Sequence, residues 1–171
     1  MFRRRCFSLA PPLLVALSLG VGGTPVAAQS PPEKACYLTL TQHRTGLPLA
    51  SILMQQRPVQ FSVEFIHSVL GTRVSDLYEM RSDGKQWRAF LIEETFEGQG
   101  YGLPYGATAP GERYERVGDG WRLTLNRVID PLVQLPLPQQ EIDLVWPIGR
   151  IRIASLSESS VRITLEGCPP D

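Results

Sequence analysis

Two histidines and three cysteines are all that 171 residues provide, and no pair of cysteines stands in C-x-x-C spacing. This scarcity argues against a zinc or redox centre, because His43 and His67 lie far apart and His43 sits in a polar stretch. No cofactor is expected. Runs of Lys and Arg are missing after residue 28, so nothing supplies the basic stripe that binding to a phosphate backbone requires, and nucleic acid is not an expected partner. Helical spacing is convincing nowhere after the first 28 residues, and there is no internal repeat or low-complexity tract. The one long apolar run, Leu13 to Val21, has about ten residues against the roughly twenty of a membrane span, so no transmembrane anchor is expected in the mature chain.

What is present at the N-terminus is Arg3, Arg4 and Arg5, then that apolar run, then Val26-Ala27-Ala28 as a small-residue cleavage site. The pattern predicts a secretory signal peptide over residues 1–28, a flexible leader over 29–35 and a single β domain over 36–168. Arg4-Arg5 bears a faint likeness to a twin-arginine signal, and the export route stays open. Cleavage removes three of 17 basic residues and none of 17 acidic ones, so 14 against 17 leaves a charge of −3. Cys6 departs with the signal. Cys36 and Cys168 remain near opposite ends of the domain in an oxidising compartment, which predicts a disulfide between them.

The mature chain alternates with period two almost throughout. Val59, Phe61, Val63 and Phe65 alternate with Gln60, Ser62 and Glu64; Trp121, Leu123 and Leu125 alternate with Arg122, Thr124 and Asn126; Ile142, Leu144 and Trp146 do the same. Shorter strands are expected over Tyr37–Leu40, Leu49–Met54, Val74–Arg81, Trp87–Phe96, Arg113–Val117, Ile151–Leu156 and Val161–Glu166. Turn residues fall between them at Asp83-Gly84, Gly118-Asp119-Gly120 and Pro147 to Gly149. The fold class is all-β: a single-domain antiparallel β-sandwich or partly open β-barrel of about nine or ten short strands.

His67 continues the inward side of Phe61, Val63 and Phe65, whereas Ser68 faces the other way, which excludes a His67–Ser68 dyad. A two-residue loop at Gly71-Thr72, or a four-residue loop from Leu70 to Arg73, sets His67 opposite Asp76. Phe65 then faces Tyr78, and Val63 faces Met80. A carboxylate beside His67 would favour imidazolium, either as a structural pair or as part of a site. Arg127 extends the face of Trp121, Leu123 and Leu125, and its guanidinium needs an anion: Asp76, Glu93, Asp130 or a ligand carboxylate. The glycines at 98, 100, 102 and 106 allow positive φ and an amide nest, with Tyr101 and Tyr105 flanking. Pro104 and a β-rich region follow, so this is no nucleotide loop. The ligand-binding candidates are therefore His67, Asp76, Tyr78, Gly98, Gly100, Tyr101, Gly102 and Arg127. No catalytic set is assigned and no metal ligands are expected.

These residues carry a family resemblance. Phe65-Ile66-His67-Ser68-Val69, a threonine shortly after, Val74-Ser75-Asp76-Leu77-Tyr78 and Phe96-Glu97-Gly98-Gln99-Gly100-Tyr101-Gly102-Leu103-Pro104, all on a small secreted β domain, resemble bacterial domain-of-unknown-function family 1850. Its members often accompany TRAP transporters of the TAXI type. The likeness runs from about Cys36 to Trp146. It departs at Asp76, where glutamate is the more frequent residue, and at Tyr101, where a smaller one is usual. The resemblance implies a periplasmic accessory of organic-acid uptake and transfers no active site. Its implied partners are a TRAP-type permease or its solute receptor, or a small carboxylate ligand. Two alternatives stand beside it: a small periplasmic hydrolase using a His67/Asp76 pair, and a structural interaction module for a membrane permease.

Overall fold

The computed structural model describes residues 35–169; the expected signal peptide and nearly all of the expected leader lie outside the described residues. Among the described residues eleven strands follow one another: β1 (Cys36–Gln42), β2 (Pro48–Met54), β3 (Val59–Ile66), β4 (Arg73–Ser82), β5 (Trp87–Phe96), β6 (Arg113–Val117), β7 (Gly120–Ile129), β8 (Val133–Gln134), β9 (Asp143–Trp146), β10 (Gly149–Arg152) and β11 (Val161–Glu166). They form two antiparallel sheets, a four-stranded one in the order β2-β1-β11-β8 and a seven-stranded one in the order β10-β9-β3-β4-β5-β7-β6. The arrangement is a sandwich without barrel closure.

Period-two alternation produces the core directly. Leu38, Leu40, Val161, Ile163 and Leu165 come from the smaller sheet, and Val59, Phe61, Val63, Leu123 and Leu144 from the larger. The longer strands thereby bury one face, with each fully covered aliphatic or aromatic side chain contributing about 1.5–3 kcal/mol. Phe61 stacks on Tyr78 with ring centroids 5.6 Å apart. The expected turns connect strands as their residues dictate. Asp83, for example, accepts the amides of Lys85 and Gln86 through Oδ1, each at 2.9 Å, closing the β4–β5 connection. Among the described residues no helix is long and apolar enough to cross a membrane.

The disulfide between Cys36 and Cys168 is present, with Cα atoms 4.5 Å apart across a sequence separation of 132. It lies at the margin between the sheets. Trp87 Nε1 of β5 donates to the Cys168 carbonyl at 3.4 Å, and the Arg57 guanidinium sits 5.4 Å from the Trp87 ring centroid. Two expectations about strands need correcting. Val133–Gln134 pairs with β11 although two residues carry no periodic signal, and Ile151–Leu156 is not one strand. It divides into the end of β10 and a 3-10 turn over Ile153–Ser155, where buried Ile153 anchors the core.

The more consequential correction concerns register. Asp76 lies opposite Val63, with Phe61 facing Tyr78 and Val59 facing Met80. The hairpin closes early: the His67 amide donates to the Thr72 carbonyl at 2.8 Å, and the Gly71 amide to the His67 carbonyl at 2.9 Å. Ser68 to Gly71 thus form one compact turn ending in Gly71 at φ 67°, two residues earlier in the chain than the expected four-residue loop from Leu70 to Arg73. A slip by an even number of residues keeps strand side chains on their face, so Phe61, Val63, Asp76 and Tyr78 lie inward as expected while the partners differ, and His67, expected inward, stands beyond the end of β3 in the turn.

Candidate functional site

His67 stands just beyond β3, where the turn begins. Its Nδ1 accepts the backbone amides of Val69 and Leu70, both at 3.2 Å, much as a capping side chain accepts the first amides of a helix. Nε2 lies 3.2 Å from the Tyr101 carbonyl. With Nδ1 accepting, the ring proton sits on Nε2 and is donated to Tyr101. One imidazole therefore organises the β3–β4 turn and ties it to the glycine loop. Asp76 takes no part: it is four residues along the ladder from His67 by its partner Val63, roughly 13 Å at strand spacing.

The glycine loop has its own local logic. The Leu103 amide donates to the Gly100 carbonyl at 3.1 Å, with Tyr101 at φ 56° and Gly102 at φ 101° between them. This is the geometry of a type I′ turn. Gly102 adopts it freely, whereas a left-handed tyrosine costs about 1–2 kcal/mol, and the His67 bond to its carbonyl opposes that cost. A Cβ on Gly100 would meet the Tyr105 hydroxyl at 2.7 Å, and one on Gly98 would lie 3.4 Å from Leu70 Cδ1. Leu103 inserts into the core. Tyr101 and Tyr105 are left 72 % and 73 % exposed, and Val69 on the adjoining turn 61 %.

Arg127 holds the far end of the same connection. Its Nε and Nη2 donate to Glu112 Oε1 at 2.9 and 2.5 Å. The amides of Thr108 and Ala109 donate to Oε2 at 2.8 and 3.1 Å. The Thr108 amide first, then the Arg127 guanidinium and the Ala109 amide, draw the Glu112 carboxyl down to about 2. The side-chain anion that Arg127 meets is thus Glu112, not Asp76, Glu93 or Asp130. His67 and Arg127 do not meet in one pocket; they pin a strap, residues 101–112, at its two ends.

Asp76 and Tyr78 form a second, separate cluster on the inner face of β4. The Tyr78 hydroxyl lies 3.4 Å from Asp76 Oδ2, and Asp76 Oδ1 is buried without a partner. Glu94 stands directly across on β5. Burial first, and the Glu94 charge second, push the Asp76 carboxyl up to about 7, against the Tyr78 hydrogen bond that lowers it. Burial also raises Glu94, which Arg127 opposes and Glu112 reinforces. Tyr78 is raised as well, by burial and then by the two carboxylates. Such a pair can carry a proton near neutrality and repels an anionic ligand.

Glu94 and Glu112 were not identified from sequence. A parity break could have revealed the first: Ala89 and Leu91 are buried at odd positions of β5 but Phe96 at an even one, because the ladders shift register beside Ile92. Nothing in the spacing links Glu112 to Arg127, although Pro110-Gly111 before it marks a turn. A cavity of about 450 Å³ is lined by, among others, Glu64, Arg73, Ser75, Thr95, Glu97 and Asp119, and none of the eight expected site residues lines it. Among the described residues no cluster of three or more His, Cys, Asp or Glu could hold a metal ion.

Replacing His67 by alanine is expected to cost roughly 1–3 kcal/mol, because it strands two amides and one carbonyl. Hydrogen exchange at Val69 and Leu70 should accelerate while the β3–β4 ladder stays protected. Unchanged exchange at both residues would contradict the pinning role.

A family model described as a domain of unknown function, DUF1850, matches residues 61–149, which is just over half of the chain. The matched segment contains all eight expected site residues and both pins of the strap. Strands β1, β2 and β11 and the disulfide lie outside it. No curated protein and no solved structure matches the chain.

Proposed function

The chain belongs to the DUF1850 family, and from its geometry we propose that it is an extracytoplasmic accessory domain that binds a protein partner through the pinned strap. One observation carries this reading: His67 commits both ring nitrogens to holding a turn and a strap that leave Tyr101, Tyr105 and Val69 exposed together. Aromatic side chains on a backbone already held in place spare the cost of ordering that backbone on association, and they are the residue type most often dominating an interface. A hydrolytic role for a His67/Asp76 pair lacks the contact it needs. A small carboxylate ligand finds Arg127 already engaged by Glu112 and, nearby, the acids Asp76 and Glu94.

The compartment follows from the N-terminal pattern, read as a cleaved bacterial signal peptide that delivers the domain to the periplasm. A disulfide joining the ends of the domain fits that oxidising environment. The partner proposed is the TRAP-type solute receptor or permease that the family resemblance implies.

Binding of the purified domain to those two proteins should be measurable by surface plasmon resonance. Replacing Tyr101 and Tyr105 together by alanine should weaken it by roughly tenfold to a thousandfold, the range of one or two interface hot spots. Absence of binding to either protein, or binding that the double substitution leaves unchanged, would overturn the proposal.

A further inference from the structure

Among the described residues the two sheets leave four edge strands: β2 and β8 in one, β10 and β6 in the other. Natural edges are blunted by shortness or by charge, because an open row of amides and carbonyls is a template for another strand. Three of these edges are so protected. β8 has two residues, β10 is Gly-Arg-Ile-Arg, and β6 is Arg-Tyr-Glu-Arg-Val. β2 is different: it runs for seven residues, Pro-Leu-Ala-Ser-Ile-Leu-Met, without a charged side chain, and its proline and the irregularity beside Leu49 are confined to its first two residues.

Its surroundings extend the same character. Ala50, Ile52 and Met54 pair with Leu40, Leu38 and Cys36 of β1 and face the core, leaving Ser51 and Leu53 on the outer side of the strand. Leu53 lines a small apolar recess together with Trp146, Pro147 and Ile148, and Ile148 is among the most exposed large apolar residues. An unprotected edge therefore adjoins an exposed apolar rim.

We propose that β2 pairs antiparallel with β2 of a second copy, merging two four-stranded sheets across a two-fold axis. A symmetric contact requires a surface complementary to itself. A strand that carries no charge meets this condition, because its copy brings no like charges into opposition. The charged sequences of β6 and β10 do not. Centred pairing sets Ser51, the middle residue of the seven, opposite its own counterpart.

Sedimentation velocity on the purified protein over a dilution series tests this. The expected result is a dimer that dissociates on dilution and is lost in the Ser51→Lys/Leu53→Lys variant, whose melting temperature matches the parent's at dilutions where the parent is monomeric, because both positions are exposed in the single chain. A Ser51→Cys variant should form a disulfide-linked dimer on mild oxidation, visible on a non-reducing gel. A parent protein that is monomeric throughout, a dimer that survives both lysines, or a Ser51→Cys dimer that fails to cross-link would each overturn the proposal.

Discussion

Replacing Cys36 and Cys168 together by alanine is expected to lower the free energy of unfolding by roughly 4–5 kcal/mol. The bridge closes a loop with a sequence separation of 132, and in the chain-entropy model so long a closure removes about that much freedom from the unfolded chain. A domain of this size has a total stability on the order of 5–15 kcal/mol, so the variant should stand close to its unfolding threshold. Part of the effect is local: Trp87 bonds to the Cys168 carbonyl, and Arg57 lies over the Trp87 ring and donates to Cys36 Sγ at 2.8 Å. Urea titration of the parent and the variant measures the difference, and the denaturant slope should rise because the unbridged chain exposes more surface. A difference under about 1 kcal/mol would show that the unfolded state is already confined without the bridge.

Replacing Asp76 by asparagine is expected to act in the opposite direction, and only where the parent is ionised. The Asp76 carboxyl has its midpoint near 7 in the folded chain against an ordinary 3.8. Between those values the folded protein retains a proton that the unfolded chain has released, so stability falls as pH rises through that window and levels off above it. Below about pH 4 the residue is protonated in both states and contributes no slope. The asparagine side chain does not titrate, so the Asp76→Asn variant should match the parent at pH 4 and exceed it at pH 8 by roughly 2–4 kcal/mol. Chemical denaturation at the two pH values reads this directly. A parent whose stability is flat from pH 4 to 7, or a variant destabilised at pH 8, would reject a raised Asp76.

Side-chain orientation was legible from alternation, but contact partners were not. Phe61, Val63, Asp76, Tyr78 and Arg127 all lie on the face that alternation assigns them, because face depends only on parity. The pairing of His67 with Asp76 depended on where the loop sits in the chain, and that was decided by a side chain: His67 captures two amides of its own turn and closes the hairpin early. The tie from Arg127 to Glu112 spans an irregular connection whose path no periodicity encodes. Glu94 turned inward because the ladders slip beside it. The disulfide, in contrast, needed only a count of cysteines and a compartment. Gly98, Gly100 and Gly102 adopt the left-handed backbone that glycine permits, whereas Gly106 does not, and one further left-handed position is occupied by Tyr101, held there by an imidazole thirty-four residues earlier in sequence.

The bridge between Cys36 and Cys168 also fixes how the domain can be attached to anything else. Both cysteines lie near the start of β5, where Trp87 meets the Cys168 carbonyl, whereas the tyrosine-bearing strap leaves from the end of β5 at Phe96. Ten strand residues separate the two ends, roughly 30 Å. Among the described residues the chain therefore enters and leaves the sandwich at one pole, beside the bridge, while Tyr101 and Tyr105 stand at the other, so whatever follows from either cysteine starts on the side away from the strap.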